Sequence, residues 1–215
     1  MSASPSWHAS TTNLNLDGID LTNVNLTNLS SNSISGNPLL PSGYKIIEGH
    51  IFGREVNLVD LRLSGDIDYS NLDLSGSNLS GMVKQNYQSL NFRNTNLEGA
   101  DLSNIEFYYS PDAQVDFIGT NLSGANLNNA MLTRSDFTRT NLTGADLTNA
   151  DLTNANLKGT NLSHSVLQDV NFVYADLTNA DLSGSYINGS SLGGKDLSGV
   201  NLSGATFTNA NLSNT

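Results

Sequence analysis

The side chains of this chain that could do chemistry are few and widely separated. Its three histidines, His8, His50 and His164, lie in different regions, and none has an obvious second ligand or nucleophile beside it. The aspartates recur at regular intervals, which makes a ladder and not a convergent pocket. The chain has no cysteine, so that zinc–thiolate sites, thiol nucleophiles and disulfides are excluded. We therefore expect no catalytic residue, no metal site and no cofactor.

The composition narrows the class of protein further. The 215 residues include 20 acidic and 9 basic side chains, for a net charge of -11, which argues against direct binding to nucleic acid or to an anionic membrane. No apolar run is long enough to span a bilayer and the N-terminus lacks a signal pattern, so we expect a cytoplasmic protein. Asparagine occurs 31 times, as often as leucine, which indicates a chain that is either low in complexity or strictly periodic.

The chain is periodic. From Leu90 to Asn214 it divides into 25 consecutive five-residue units, and the central position is Leu, Phe or Ile in 24 of them, Asp112 being the exception. A small residue usually stands two positions earlier, with Asn or Asp between the two. No insertion or deletion disturbs this five-residue phase, even through the irregular stretch 108–112, so we expect one continuous repeat array.

The repeats also organise the rest of the chain. We expect five regions: an N-terminal cap segment at 1–13, a first repeat coil at 14–33, a non-repeat hairpin insertion at 34–55, repeats with register breaks at 56–89, and a continuous array at 90–214.

A period of five fits neither a helix nor a flat strand, and indicates a short extended piece followed by a turn. If both apolar positions always face one axis, the chain must coil around that axis as an all-β solenoid. The units Ala-Asp-Leu-Thr-Asn at 145–149 and Ala-Asn-Leu-Lys-Gly at 155–159 resemble the pentapeptide-repeat family, whose consensus is A(D/N)LXX. The resemblance implies a right-handed quadrilateral β-helix with four five-residue units per 20-residue coil, in which the central and the small residues point inward.

A 20-residue coil assigns the outward side chains to four faces. One face is expected to be an acidic stripe with candidate residues Asp116, Asp136, Asp176 and Asp196. The same assignment places Asn96 on that face, with Leu97 among its inward central residues and Glu98 beside the stripe. The next face is expected to carry a hydroxyl ladder, formed by Ser103, Ser123, Thr143, Ser163, Ser183 and Ser203.

Exposed apolar side chains on the two remaining faces form a candidate partner patch, because the repeat would place Asn, Ser or Thr there. Its members are Tyr108, Tyr109, Met131, Val166, Val173, Tyr174 and Tyr186. At the C-terminus, an open strand edge and an apolar layer predict an end-to-end homodimer through Phe207 and Leu212. Lys195 occupies an inward small position, where we expect a local bulge that lets its ammonium reach solvent.

These features favour a non-catalytic protein–protein interaction scaffold on a rigid β-helical rod, with a protein partner and no nucleic acid or membrane. Two alternatives remain. The resemblance suggests an acidic DNA mimic that binds DNA gyrase or another topoisomerase, because some bacterial members of the family confer quinolone resistance in this way. The hydroxyl ladder suggests ice binding through a row of Ser and Thr side chains.

Overall fold

The computed structural model describes residues 14–30, 34–84, 89–107 and 115–215. These residues form short strands and turns, and no helix lies among them. The strands are β1 (Leu14–Asn15), β2 (Ile34–Ser35), β3 (Lys45–Ile47), β4 (His50–Phe52), β5 (Arg62–Leu63), β6 (Ile67–Asp68), β7 (Val83–Lys84), β8 (Leu90–Asn91), β9 (Glu106–Phe107), β10 (Val115–Asp116), β11 (Tyr186–Asn188) and β12 (Thr206–Thr208).

Parallel pairing joins each coil to the next. Asp116 pairs with Asp136 and Asp136 with Asn156, so that residues 20 apart lie directly above one another. Each coil has four walls, each made by one five-residue unit, and we number them in chain order. Their central residues, taken in one coil, are Phe117 on wall 1, Leu122 on wall 2, Leu127 on wall 3 and Leu132 on wall 4. The structure thus confirms the predicted all-β coil of four units.

Wall 3 gives the length of the rod from residue 56 onward, without the paired segments 14–20 and 34–39. Its central residues run through eight coils, namely Leu58, Leu79, Leu102, Leu127, Leu147, Leu167, Ile187 and Phe207. At about 4.8 Å between neighbouring strands, eight coils make a rod of about 34 Å.

Asparagine and aspartate build the turns at the ends of the walls. Their side-chain oxygen accepts the backbone N–H two residues later, as Asp136 does from Thr138 at 2.9 Å and Asn161 from Ser163 at 3.0 Å. The residue after that takes a left-handed conformation, with φ of 59° at Asn149 and 66° at Gly144, which explains why Asn and Gly dominate there. Each unit therefore carries its own turn chemistry.

The interior is a set of stacked columns. On wall 1, the rings of Phe52, Tyr69, Phe92, Phe117 and Phe137 form one aromatic column, with neighbouring centroids 4.8 to 5.1 Å apart. Beside it, four buried threonines each donate their hydroxyl to a wall 1 carbonyl of the coil before, and these are Thr95, Thr120, Thr140 and Thr160. The hydroxyl satisfies a buried acceptor, which explains a polar residue inside the core.

The predicted alignment of coils is wrong before residue 115. Asn96 pairs with Asn121 and Asn91 with Asp116, each 25 residues apart instead of 20. Asn96, Leu97 and Glu98 therefore lie on wall 2 and not in the wall 1 stripe. Ser103 likewise lies on wall 3, outside the hydroxyl ladder, because Leu102 donates to the carbonyl of Asn126.

Extra residues between wall 4 and wall 1 explain the shift. From one wall 4 centre to the next wall 1 centre the chain takes five residues in the regular region, as from Leu132 to Phe137, but ten from Phe107 to Phe117. An insertion of one whole unit preserves the five-residue phase, so that the sequence pattern cannot reveal it. Asp112, the one central residue of the 25 units that is not apolar, lies in this stretch.

An antiparallel hairpin, β3–β4, packs on the N-terminal side of the long core. It contributes Phe52 to the aromatic column, and the Glu48 carboxylate at its tip accepts hydrogen bonds from the backbone and hydroxyl of Ser64. Within the predicted insertion 34–55, the part at 34–39 instead pairs in parallel with 14–20 and continues a coil.

Candidate interaction surfaces

The outward Asn/Asp position of each unit separates regular walls from irregular ones. On walls 1 and 2, every such position from Asp68 to Asn201 holds Asn or Asp. Each of these side chains accepts a hydrogen bond from the backbone N–H two residues later, which we call the turn N–H. The departures all lie on walls 3 and 4. They are Arg62, Val83, Glu106, Met131, Val166, Tyr186, Ser191 and Thr206.

Val166 and Tyr186 lie on wall 3 in neighbouring coils, and their backbones form a parallel β-bridge. We call the position of one coil on a wall a rung. Tyr186 is 51% exposed and Val166 is half-buried. Neither side chain can accept the turn N–H that Asp146, one rung above, accepts from Thr148 at 3.0 Å. The protein therefore gives up a turn hydrogen bond of about 0.5–1.5 kcal/mol at each of these two positions.

Val173 and Tyr174 end wall 4, at the corner with wall 1. They are 47% and 79% exposed, and Tyr174 holds the left-handed conformation, with φ of 56°, that the repeat usually gives to Asn or Gly. A bulky side chain in this conformation is uncommon. The structure thus brings together two pairs of the predicted patch, Val166 with Tyr186 and Val173 with Tyr174, on the two sides of wall 4.

Other members of the predicted patch lie elsewhere. Met131 is on wall 4, two rungs above Asn171, and is half-buried. Tyr108 and Tyr109 fall outside the described residues, as do His8 and the cap segment 1–13. The predicted patch is therefore not one continuous surface.

Below Tyr174, two neighbouring coils are joined by fewer backbone hydrogen bonds than elsewhere, and we call this place the seam. The only sign of it in the sequence was Lys195. Between 170–177 and 191–197, all of which the structure describes, the amides of Phe172, Tyr174 and Leu177 lack the bonds to the next coil that the repeat makes elsewhere. The Lys195 ammonium donates to the carbonyl of Ala175 at 3.4 Å, and burial lowers the pKa of Lys195. The expected local distortion is present, but the ammonium is half-buried.

The four aspartates of the predicted acidic stripe, Asp116, Asp136, Asp176 and Asp196, all lie on wall 1. Their wall also carries three basic side chains, Arg93, Arg139 and Lys158, and Arg93 forms an ion pair with Asp116. The pKa of Asp176 is lowered, first by the hydrogen bonds from Thr178 and further by Lys158. Wall 1 is thus a surface of mixed charge.

The hydroxyl ladder on wall 2 keeps five of its six members, from Ser123 to Ser203. Its hydroxyls are partly engaged, because Ser123 and Thr143 donate to Asn121 and Asn141 at 2.8 and 2.7 Å. In the coil before Ser123, Glu98 stands where the ladder would have a hydroxyl. Backbone hydrogen bonds establish this position, because Gly76 donates to the carbonyl of Glu98 and Gly99 donates to the carbonyl of Ser123. The row is a single file of hydroxyls with internal partners.

The C-terminal coil is the open end of the core. Phe207 is half-buried and Leu212 is 39% exposed, whereas the central residues of the coil directly before are buried, namely Leu177, Leu182, Ile187 and Leu192. This places both residues of the predicted dimer end at the last layer of the rod.

A buried lysine inside the rod escaped the sequence analysis. Lys84 lies at the central inward position of wall 4, paired with Phe107 in the next coil, and is only 3% exposed. Burial lowers its pKa, and the nearby Asp66 opposes this effect. In the same coil the phenol of Tyr69 is buried without a hydrogen-bond partner, and burial raises its pKa well above the usual value. The irregular sequence at 82–89 was the signal for Lys84, and a tyrosine at the central position of its unit was the signal for Tyr69.

The geometry offers no convergent reactive centre in the part of the chain that is described. No three His, Asp or Glu side chains there are placed to hold a metal ion. His50 borders an open cleft of about 450 Å³ that also touches Asp60 and Arg62, while His164 lies on a separate corner. Since the described residues form no helix, none of them provides an apolar helix that could cross a membrane.

Comparison with known proteins gives a family and several similar structures. The profile of the family described as pentapeptide repeats matches residues 113–149, 145–184 and 180–215, with eight copies of the repeat. The family's repeat corresponds to the four-sided coil described above. No curated protein matches the chain.

Two of the similar solved structures are 28% identical. One is HetL, a pentapeptide-repeat protein involved in heterocyst differentiation regulation in the cyanobacterium Nostoc sp. strain PCC 7120. The alignment covers 72% of this chain and 86% of HetL, with a TM-score of 0.26. A pentapeptide-repeat protein of the Arabidopsis thaliana thylakoid lumen covers 56% of this chain and 70% of its own, with a TM-score of 0.26. QnrB1, a plasmid-mediated fluoroquinolone resistance protein, is 19% identical, covers 71% and 86%, and has a TM-score of 0.29.

Proposed function

Because this chain belongs to the pentapeptide-repeat family, we propose that it is a non-catalytic interaction scaffold, a rigid rod that presents a protein-binding face. The binding face consists of Val166 and Tyr186 on wall 3 and of Val173 and Tyr174 on wall 4. The observation that carries the proposal is the replacement of Asn or Asp by Val166 and Tyr186. Exposed apolar side chains that cost turn hydrogen bonds gain from being covered by a partner.

A pull-down from the native cell tests the face. Tyr174→Asp combined with Tyr186→Asp is expected to abolish partner capture without lowering the melting temperature, because both side chains are exposed and an aspartate at position 186 can accept the turn N–H. The matched control, Asn156→Asp combined with Asn161→Asp, adds two negative charges on walls 1 and 2 and is expected to capture normally. Capture by the tyrosine double variant at the wild-type level would remove this face from the proposal.

The DNA-mimic alternative finds less support in the surface. Duplex DNA carries a charge every 1.7 Å or so, hence about 20 over a length of about 34 Å. This chain has a net charge of -11, and its wall 1 aspartates are interleaved with three basic residues. As a mimic, it would inhibit gyrase supercoiling at micromolar concentration. No effect in that assay, together with tight capture of another protein, would discard this function.

Ice binding is weaker still, because the wall 2 hydroxyls form a single file and two of them already donate within the protein. Thermal hysteresis of a concentrated solution measures it directly.

The C-terminal end supports a homodimer as a second element of the proposal. The coil at 195–214 has strand edges without a partner among the described residues, and unpaired strand edges favour pairing with another chain. Phe207 and Leu212 add an apolar layer that a second copy would cover. Two rods joined in this way would present two binding faces.

A further inference from the structure

The binding face on wall 3 also indicates what kind of partner it takes. We propose that wall 3 binds a basic protein segment, with a lysine or arginine side chain lying over the ring of Tyr186 and between the carboxylates of Asp146 and Asp169. This inference rests on the proposed scaffold function and adds the chemistry of the partner.

The charges of wall 3 have a single sign. Over the eight units from Asn57 to Asn209, all of them described, the outward positions include four carboxylates and no lysine or arginine. The carboxylates are Asp60, Asp101, Asp146 and Asp169. Wall 1 differs, because three basic residues accompany its five aspartates there. A basic segment therefore finds complementary charge on wall 3 without a competing cation on the same wall.

Tyr186 supplies the specific element. Its ring is half exposed on a flat wall, directly below Val166, which itself lies directly below Asp146. Neighbouring coils are about 4.8 Å apart, so the backbone of Asp146 lies about 10 Å above that of Tyr186 along the wall. Cations bind favourably over the face of an aromatic ring, and a long lysine or arginine side chain can also pack its methylenes on Val166.

The carboxylate of Asp146 is held in place before any partner arrives, whereas that of Asp169 has one exposed side-chain partner. Asp146 accepts hydrogen bonds from the backbone and hydroxyl of Thr148 at 3.0 and 2.6 Å, and from the side chain of Asn128 at 2.7 Å. Asp169 accepts from Gln168 at 3.2 Å, and its own N–H donates to the carbonyl of Asn188, two residues beyond Tyr186. Fixed carboxylates lose little conformational freedom on binding, which favours a charged partner.

The test uses a short peptide of alternating arginine and valine, titrated into isotope-labelled protein and followed by NMR. We expect chemical-shift changes centred on Val166, Tyr186 and Asn188, and weaker binding as the salt concentration rises. A peptide with glutamate in place of every arginine is expected not to bind. Changes spread evenly over walls 2 and 3 would mean non-specific attraction to an acidic protein, and would overturn the proposal.

Variants separate the ring from the charges. Tyr186→Leu keeps an apolar side chain without the aromatic face, and is expected to weaken the arginine peptide about two- to fivefold, whereas Tyr186→Phe leaves its affinity unchanged. Asp146→Asn combined with Asp169→Asn is expected to weaken it about three- to tenfold. The control, Asp116→Asn combined with Asp136→Asn, removes the same charge from wall 1, and an equal loss there would contradict a specific site.

The two proposals fail in different ways. In one outcome, capture of the pull-down partner is lost in Tyr174→Asp with Tyr186→Asp and yet is independent of salt concentration and unaffected by Asp146→Asn with Asp169→Asn. In that case the scaffold function stands and the proposed basic segment is wrong. If capture survives in every variant, the binding face itself is wrong.

Discussion

The ammonium of Lys195 donates to the carbonyl of Ala175, 3.4 Å away in the coil before, at the acceptor that the repeat elsewhere offers to a backbone amide. One coil earlier, the corresponding carbonyl of Ala155 accepts the N–H of Asp176 at 3.0 Å. A lysine at an inward position has thus displaced the ladder that should continue through Asp196. The seam between these two coils lies at that residue.

Lys195→Ala should therefore repair the seam. With the small residue that the repeat favours, the amide of Asp196 can bond to Ala175, and we expect the free energy of unfolding to rise by about 1 kcal/mol. Native-state hydrogen exchange checks the cause, because the amides of Phe172 and Leu177 should exchange faster than those of Leu152 and Leu157 in the wild type. The variant should slow them.

Lys158→Ala is the control for this change, since Lys158 is an exposed lysine on wall 1. It should leave both exchange and stability almost unchanged. Equal exchange at Phe172 and Leu152 in the wild-type protein would show that the seam is not open in solution.

Lys84→Met should stabilise the rod. The position is central and inward, so an apolar side chain of similar length fills it without burying a charge, and we expect a gain on the order of 1–3 kcal/mol at neutral pH. The folded pKa of Lys84 lies below its usual 10.5, so the unfolded chain binds the proton more readily. Wild-type stability therefore gains from this group as pH rises through the folded pKa towards 10.5.

Denaturant unfolding of both proteins at several pH values measures this effect as a difference, which cancels the opposing titration of tyrosines. The advantage of Lys84→Met should shrink with rising pH. An advantage that stays constant would assign it to packing and not to the buried charge, and Lys45→Met, at an exposed lysine, serves as the control.

The alignment of coils can be tested with introduced cysteines, because the natural chain has none. Asn96→Cys with Asn121→Cys places two thiols on neighbouring rungs, where the Cα atoms are about 4.8 Å apart and a disulfide is within geometric reach. Asn96→Cys with Asp116→Cys is the pair that a uniform 20-residue coil would join. Mass spectrometry without reductant should find the first pair oxidised and the second free, and the opposite result would refute the insertion at the corner.

This contrast shows what the sequence could predict and what it could not. The five-residue period fixes which side chains point inward, since every unit repeats the same turn chemistry. It does not fix which coil lies above which, because an extra unit between Phe107 and Phe117 leaves the period intact. The two pairs of the binding face could be recognised in the sequence as departures from Asn, Ser or Thr. That wall 4 lies between them is visible only in the structure. Lys84 was hidden because register breaks surround it.

Hydrogen-bonded aspartates should make the rod sensitive to acid. The pKa of Asp181 is lowered, mainly by hydrogen bonds from Ser183, and that of Asp176 by those from Thr178. A lowered folded pKa stabilises the fold above the ordinary value of 3.8, and this stability is lost as pH falls through the folded pKa. Asp176→Asn with Asp181→Asn keeps the acceptor oxygen and removes the titration, so its stability should fall less steeply below pH 3.8.

Thermal unfolding as a function of pH measures this slope. Asn141→Ala, which removes a turn acceptor without removing a charge, is expected to lower stability by about 0.5–1.5 kcal/mol equally at every pH. A double aspartate variant with the wild-type slope would show that these carboxylates do not govern the acid response.

Leu212→Asp tests the proposed homodimer. Leu212 is exposed at the last layer and Phe207 is half-buried there, so a charge at 212 would be desolvated in an end-to-end contact but remains in water in the monomer. Light scattering across a concentration series should show the wild type approaching twice the monomer mass and the variant staying at one. Val59→Asp, at an exposed apolar residue near the other end, should still dimerise. A wild type that remains monomeric at high concentration would contradict the homodimer.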